Sequence, residues 1–98
     1  MKVNLDQILK DPDNREIMMD QSTKLTLRFV CTDALIRRIE SIDSKNDAAY
    51  AVELFECSQN LKDGNFKSEQ ITLIKNRVAN SGTFSPYIIG QTLTLLDG

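Results

Sequence analysis

From Leu25 onward the apolar residues of this chain recur with a period of about 3.6, and that periodicity constrains the fold more than any other feature. In LTLRFVCTDALIRRIESI, Leu27, Val30, Cys31, Ala34, Leu35 and Arg38 follow i, i+3, i+4, i+7 spacing, and Phe29, Ile36 and Ile39 broaden the stripe. A first helix capped by Thr26 is the consequence. Ser44 followed by Asp47 in SKND resembles a capping box with a shorter acid, and it precedes AAYAVELFECSQNL. There Ala48, Ala51, Val52 and Phe55 form one stripe that Tyr50, Leu54 and Leu61 widen, a second helix stopped at Gly64. Ser68 caps EQITLIKNRVAN, with Glu69 in the positive first turn and Ile71, Ile74 and Val78 on one face. This third helix ends at Asn80-Ser81-Gly82. In SPYIIGQTLTLL, Ser85 and Pro86 supply a cap and a first-position proline, and the fourth helix runs to about Leu96 and closes the core. Gly90 in mid-helix costs about 1 kcal/mol relative to Ala, so close approach of a neighbouring helix is the expected compensation.

The first twenty residues read differently. Val3, Leu5 and Ile8 alternate loosely, Ile17 and Met19 alternate again, and Asp11-Pro12-Asp13-Asn14 between them suits a type I turn. A β-hairpin over residues 1–20 follows, and since an isolated hairpin is marginal in water its apolar face must lie on the helices. The expected fold class is therefore α+β and mostly helical: an N-terminal β-hairpin packed on a compact bundle of about four short helices at 26–96. With 98 residues and no long linker or internal repeat, one domain spanning 1–98 is expected.

Composition removes most chemistry. There is no histidine, so Ser-His and Cys-His catalysis and most zinc sites drop out together. Gly64, Gly82, Gly90 and Gly98 are too scattered for a phosphate-cradling loop. Asp11, Asp13 and Asn14 lie close together and offer oxygens of the kind a calcium loop uses, but the remaining ligands and the bidentate Glu are missing, and the turn reading is preferred. No metal or cofactor is expected. Cys31 and Cys57 belong to no CxxC pair and read as reduced thiols in the core. Net charge is −2, which disfavours nucleic acid as a partner. Arg28, Arg37, Lys75 and Arg77 would make a small basic patch if the helices bring them together, whereas Glu53 and Glu56 sit on a solvated helix face. The chain carries neither a secretory signal pattern nor an apolar run of membrane length, so a cytoplasmic protein without a membrane partner is expected.

The segments KLTLRFVCTDALI, SEQITLIKNRV and FSPYIIGQTLTLLDG, together with NLDQIL at 4–9, resemble a small uncharacterised protein family of tailed bacteriophages and prophages. SGTFSP departs from the pattern, being longer and more polar than the usual link before the proline. The family carries no assigned activity, so the resemblance implies phage origin, a bacterial host cytoplasm and association with the virion rather than a mechanism. A remoter likeness links the chain to phage tail assembly chaperones, which are small, mainly helical and acidic.

A non-enzymatic accessory protein that binds another protein, in virion assembly or host takeover, is the function these readings imply. Its partner would be a phage structural or host protein, and a homo-oligomer is a further expected association because a small chain gains stability by burying a helix face against a copy. Phe66, Phe84, Tyr87 and Gln91 are the partner-binding candidates: three aromatics in loops or at helix ends, where they can anchor a partner or fold back on the core, and a neighbouring amide. Two alternatives stand beside this reading. Residues 68–96 have the outline of a helix-turn-helix, with Ser85, Tyr87 and Gln91 facing DNA, although the second helix offers one Gln and no cation. A carboxylate-based enzyme would need two converging acids in a cleft.

Overall fold

The computed structural model describes residues 1–44 and 47–98. Five helical segments occur among them: α1 (Leu27–Ile36), α2 (Glu40–Asp43), α3 (Ala48–Gln59), α4 (Ser68–Asn80) and α5 (Pro86–Leu96). The expected β-hairpin is overturned, and the α+β class with it: no β-strand forms among the described residues, and the architecture is a helical bundle.

The N-terminal segment explains why no ladder grows. Three short extended pieces, centred on Leu9, Ile17 and Leu25, meet in a closed ring of backbone hydrogen bonds. Ile17 N–H donates to Leu9 (3.0 Å), Leu25 N–H to Ile17 (2.8 Å) and Leu9 N–H to Leu25 (2.9 Å). Each piece splits its pairing between two neighbours and makes single bridges, Lys10 with Glu16, Met18 with Lys24 and Ile8 with Thr26. A hairpin needs consecutive pairs between the same two segments, and the third piece takes those partners. The turns joining the pieces are held by aspartates. Asp11 Oδ1 accepts from the N–H groups of Asp13 and Arg15, and Asp20 Oδ1 from those of Ser22 and Thr23. Leu9 and Leu25 point into the core at 0% and 3% exposure, while Met18 and Met19 stay exposed.

α1 forms as its spacing dictates. Leu27, Val30, Cys31, Ala34 and Leu35 are buried, and the Thr26 hydroxyl accepts from Phe29 N–H at 3.2 Å. It ends before Arg38, sooner than its apolar pattern suggests. Arg77 of α4 reaches across and donates from Nε to Ala34 O (2.6 Å) and from Nη2 to Arg37 O (2.7 Å). The guanidinium thus occupies the carbonyl that the next helical turn would use, and Arg37 turns extended. α2 follows as a single turn, with the Asp43 carboxylate accepting from Ile39 N–H at 2.7 Å.

Caps at the other helices differ partly from expectation. α3 is capped by Asp47 itself, whose Oδ1 accepts from Ala49 and Tyr50 N–H, rather than by Ser44; Lys45 and Asn46 of the SKND signal lie outside the described residues. At α4 the expected Ser68 is the first helical residue, and Gln70 Oε1 accepts from Lys67 N–H at 2.9 Å. Ser85 and Pro86 open α5 as the sequence indicates. α4 lies centrally, burying Ile71, Ile74, Arg77 and Val78 and packing against α1, α2 and α5. α5 closes the core with Thr92 and Leu96. Gly90 corrects another expectation: it faces open space and no neighbouring helix approaches it.

Candidate functional site

The second helix is where sequence and structure diverge in a way that matters for function. Ala48, Ala51, Val52 and Phe55, the expected stripe, all face solvent, with Val52 at 56% and Phe55 at 66% exposure. Successive residues turn by about 100° around a helix, which puts this stripe opposite Cys57, the buried residue of α3. The helix rests on its other apolar arc. Leu54 and Leu61 pack against the core, and Tyr50 is half-buried with its hydroxyl 3.2 Å from Arg77 Nη1. At the C-terminal end Asn60 Nδ2 donates to Gln70 Oε1 (3.0 Å), which ties α3 to the start of α4.

Ile36, 72% exposed at the end of α1, extends the stripe sideways. It shares with Ala51 and Leu54 a shallow depression of about 270 Å³ that also contains Arg37, Arg38, Asp43, Tyr50 and Arg77. The floor is rigid. Arg77 is 1% exposed and bonds Asp43 through both terminal nitrogens, at 2.7 and 3.1 Å. Arg77 holds the Asp43 carboxyl below the ordinary carboxylate pKa against the opposing effect of burial, with Ile39 N–H adding to the shift. Burial alone would disfavour the Arg77 charge, but its bonds to Asp43 and Tyr50 outweigh that and raise its pKa.

On the far side of the stripe lies an acidic edge. Glu53 and Glu56 of α3 and Glu69 of α4 line one hollow of about 220 Å³ together with Lys67, Gln70 and Leu73. α3 contains two glutamates and no basic residue, and its cap is an aspartate. The site is therefore an apolar ridge bordered on one flank by carboxylates.

The sequence-derived candidates lie elsewhere and are mostly occupied. Phe66 is 2% exposed and belongs to the core, so the fold-back reading describes it and the anchor reading does not. Phe84 is half-buried and meets Phe29 edge-on, with ring centroids 6.2 Å apart. Tyr87 and Gln91 are brought together, but by the chain itself: Tyr87 OH donates to Lys10 O (2.9 Å), and Gln91 donates to that oxygen (2.7 Å) while accepting from Lys10 N–H (2.8 Å). They fasten α5 to the N-terminal ring. Of the four basic residues considered as a patch, Arg37 and Arg77 share the depression at Ile36, but all four are paired with acids. Arg28 pairs with Asp6, Arg37 with Asp33, Lys75 with Asp97, and Arg77 is internal.

Cys31 and Cys57 are both free and buried. Burial, reinforced by the neighbouring Cys57, pushes the Cys31 thiol up to about 12, and burial pushes Cys57 up to about 11, so both behave as inert core groups. Among the described residues no group of three or more Cys, Asp or Glu side chains is placed to hold a metal ion, and no helix is long and apolar enough to cross a membrane. Compared with protein-family models, curated proteins and solved structures, the chain shows no match.

Proposed function

We propose that this chain is a non-enzymatic accessory protein that docks another protein on the ridge formed by Ile36, Ala51, Val52 and Phe55. One observation carries the reading: α3 anchors itself through the arc that holds Leu54 and Cys57 and leaves a second apolar arc, with Val52 and Phe55, in solvent. Phe55 and Val52 exposed on one arc of α3, with exposed Ile36 next to Ala51 of the same arc, mark an interaction surface more than a random scatter of apolar residues does. The phage resemblance supports a partner drawn from virion assembly or from the host. The ridge stands in place of Phe66, which is core, and of Gln91, which is bonded to Lys10; Tyr87 is held there by its hydroxyl while its ring stays exposed.

Magnitudes indicate what kind of contact this is. Burying the exposed parts of Ile36, Val52 and Phe55 is worth roughly 4 kcal/mol, from about 1.5–3 kcal/mol per fully buried side chain. Association costs at least about 4 kcal/mol in lost translational and rotational freedom. The ridge alone would just break even, so a stable complex needs a polar contribution from its edges. The test is affinity capture from cells with the tagged chain and a Phe55→Glu, Val52→Glu variant. The reading expects a partner that the wild type retains and the folded variant loses; recovery of the same proteins by both would overturn it.

A further inference from the structure

We infer that the segment docking on the α3 ridge is a basic amphipathic helix, with an apolar face for Val52 and Phe55 and lysines or arginines along the flank that meets Glu53, Glu56 and Glu69. The inference rests on the docking reading above and adds the chemistry of the partner. Three carboxylates against the single Lys67 line the flank of α4, and α3 contributes no cation of its own. The opposite flank, at Ile36, is more nearly balanced: Arg37 is bonded to Asp33 at 2.9 Å and Arg38 to Glu40 at 2.7 Å, and Asp47, which lines the same depression, directs one carboxylate oxygen to the N–H groups of Ala49 and Tyr50. The acidic charge along the ridge is therefore heavier on the α4 flank, and a partner helix gains orientation as well as attraction by placing its cations over the glutamates.

A second copy of this chain fits less well. Antiparallel pairing of two α3 helices sets like flanks opposite each other, glutamates against glutamates, by the same geometry that governs flanking positions in coiled coils. Parallel pairing sets the glutamates against Arg37 and Arg38, whose charges are already taken. Nucleic acid is repelled by the same carboxylates.

The probe is a Leu/Lys amphipathic peptide about 18 residues long, five turns of helix, with a Leu/Glu peptide of the same apolar pattern as its counterpart. Binding is followed by titration calorimetry and by backbone-amide chemical shifts. The inference expects the Leu/Lys peptide to shift Ile36, Val52 and Phe55, to lose about tenfold in affinity when Glu53 and Glu56 are both changed to Lys, and to weaken in about 0.5 M NaCl. The Leu/Glu peptide should not bind. Equal binding of both peptides at the ridge would overturn the charge inference and leave the docking reading standing. Binding of neither peptide at the ridge would overturn both. Concentration-dependent shifts of the same residues without peptide would identify a second copy as the occupant and overturn the inference.

Discussion

Gly64, in a turn segment, and Gly90, in mid-helix, do opposite things. Gly64 adopts φ +71°, accepts from Val3 N–H through its carbonyl at 2.8 Å, and sits where any Cβ would run into the Val3 carbonyl oxygen. Gly90 lies in α5 with nothing within 4 Å of where a Cβ would be. Gly64→Ala should cost at least about 2 kcal/mol through left-handed strain and the clash, whereas Gly90→Ala should gain about 0.5–1 kcal/mol from helix propensity. Urea unfolding of the two variants checks both signs. Lys-Asp-Gly-Asn was legible as turn chemistry, but α3 ends earlier than that, at Gln59 with Asn60 as its C-cap, and Gly64 belongs to the turn that follows. The neighbourhood of Gly90 was not legible, because propensity says what a glycine costs and only packing says what it is for. Arg77 shows the same limit. Its spacing from Ile74 and Val78 places it beside the buried face of α4, but a charged residue there reads as surface until Asp43 and two carbonyls are seen around it.

At the level of elements, the break between α1 and α2 is the clearest case of tertiary structure overriding a local pattern. The apolar stripe of α1 continues to Ile39, which is buried, yet the helix stops at Ile36 because Arg77 takes the carbonyls of Ala34 and Arg37. That junction should respond to acid. Asp43 has its pKa lowered by Arg77, so its contribution is complete above the unfolded carboxylate value of about 3.9 and is lost as pH falls through the lower folded value. Asp43→Asn should be less stable at pH 7 by about 3 kcal/mol, because Arg77 is left buried and uncompensated, and should lose less stability than the wild type on going from pH 4 to pH 2. Denaturant titrations at several pH values read both effects. The misreading of α3 has a different origin. The helix carries two apolar arcs, 48/51/52/55 and 50/54/57/61, and both satisfy helical spacing, so periodicity establishes a helix without saying which arc is inside. The N-terminal hairpin failed for a third reason, since alternation cannot reveal that Leu25 would compete with Leu9 and Ile17 for each other's backbone groups.

For the molecule as a whole, the positions of the four longer helices were readable because their stripes and breakers are strong, and helical periodicity reports burial against any neighbour. What was not readable is which surface is left over. Once α4 has taken the centre and α5 has closed it, α3 packs through one arc, and the arc with Val52 and Phe55 stays outside with an acidic flank. The proposed function depends on that leftover face being a true surface of the folded monomer. The most direct test compares the unfolding free energies of Phe55→Glu and Ile74→Glu. The ridge account predicts that Phe55→Glu stays within about 0.5 kcal/mol of the wild type, as surface changes do, while Ile74→Glu, at a position with 0% exposure, unfolds the protein. If Phe55→Glu were as destructive as Ile74→Glu, the stripe would belong to the core and the docking face would not exist.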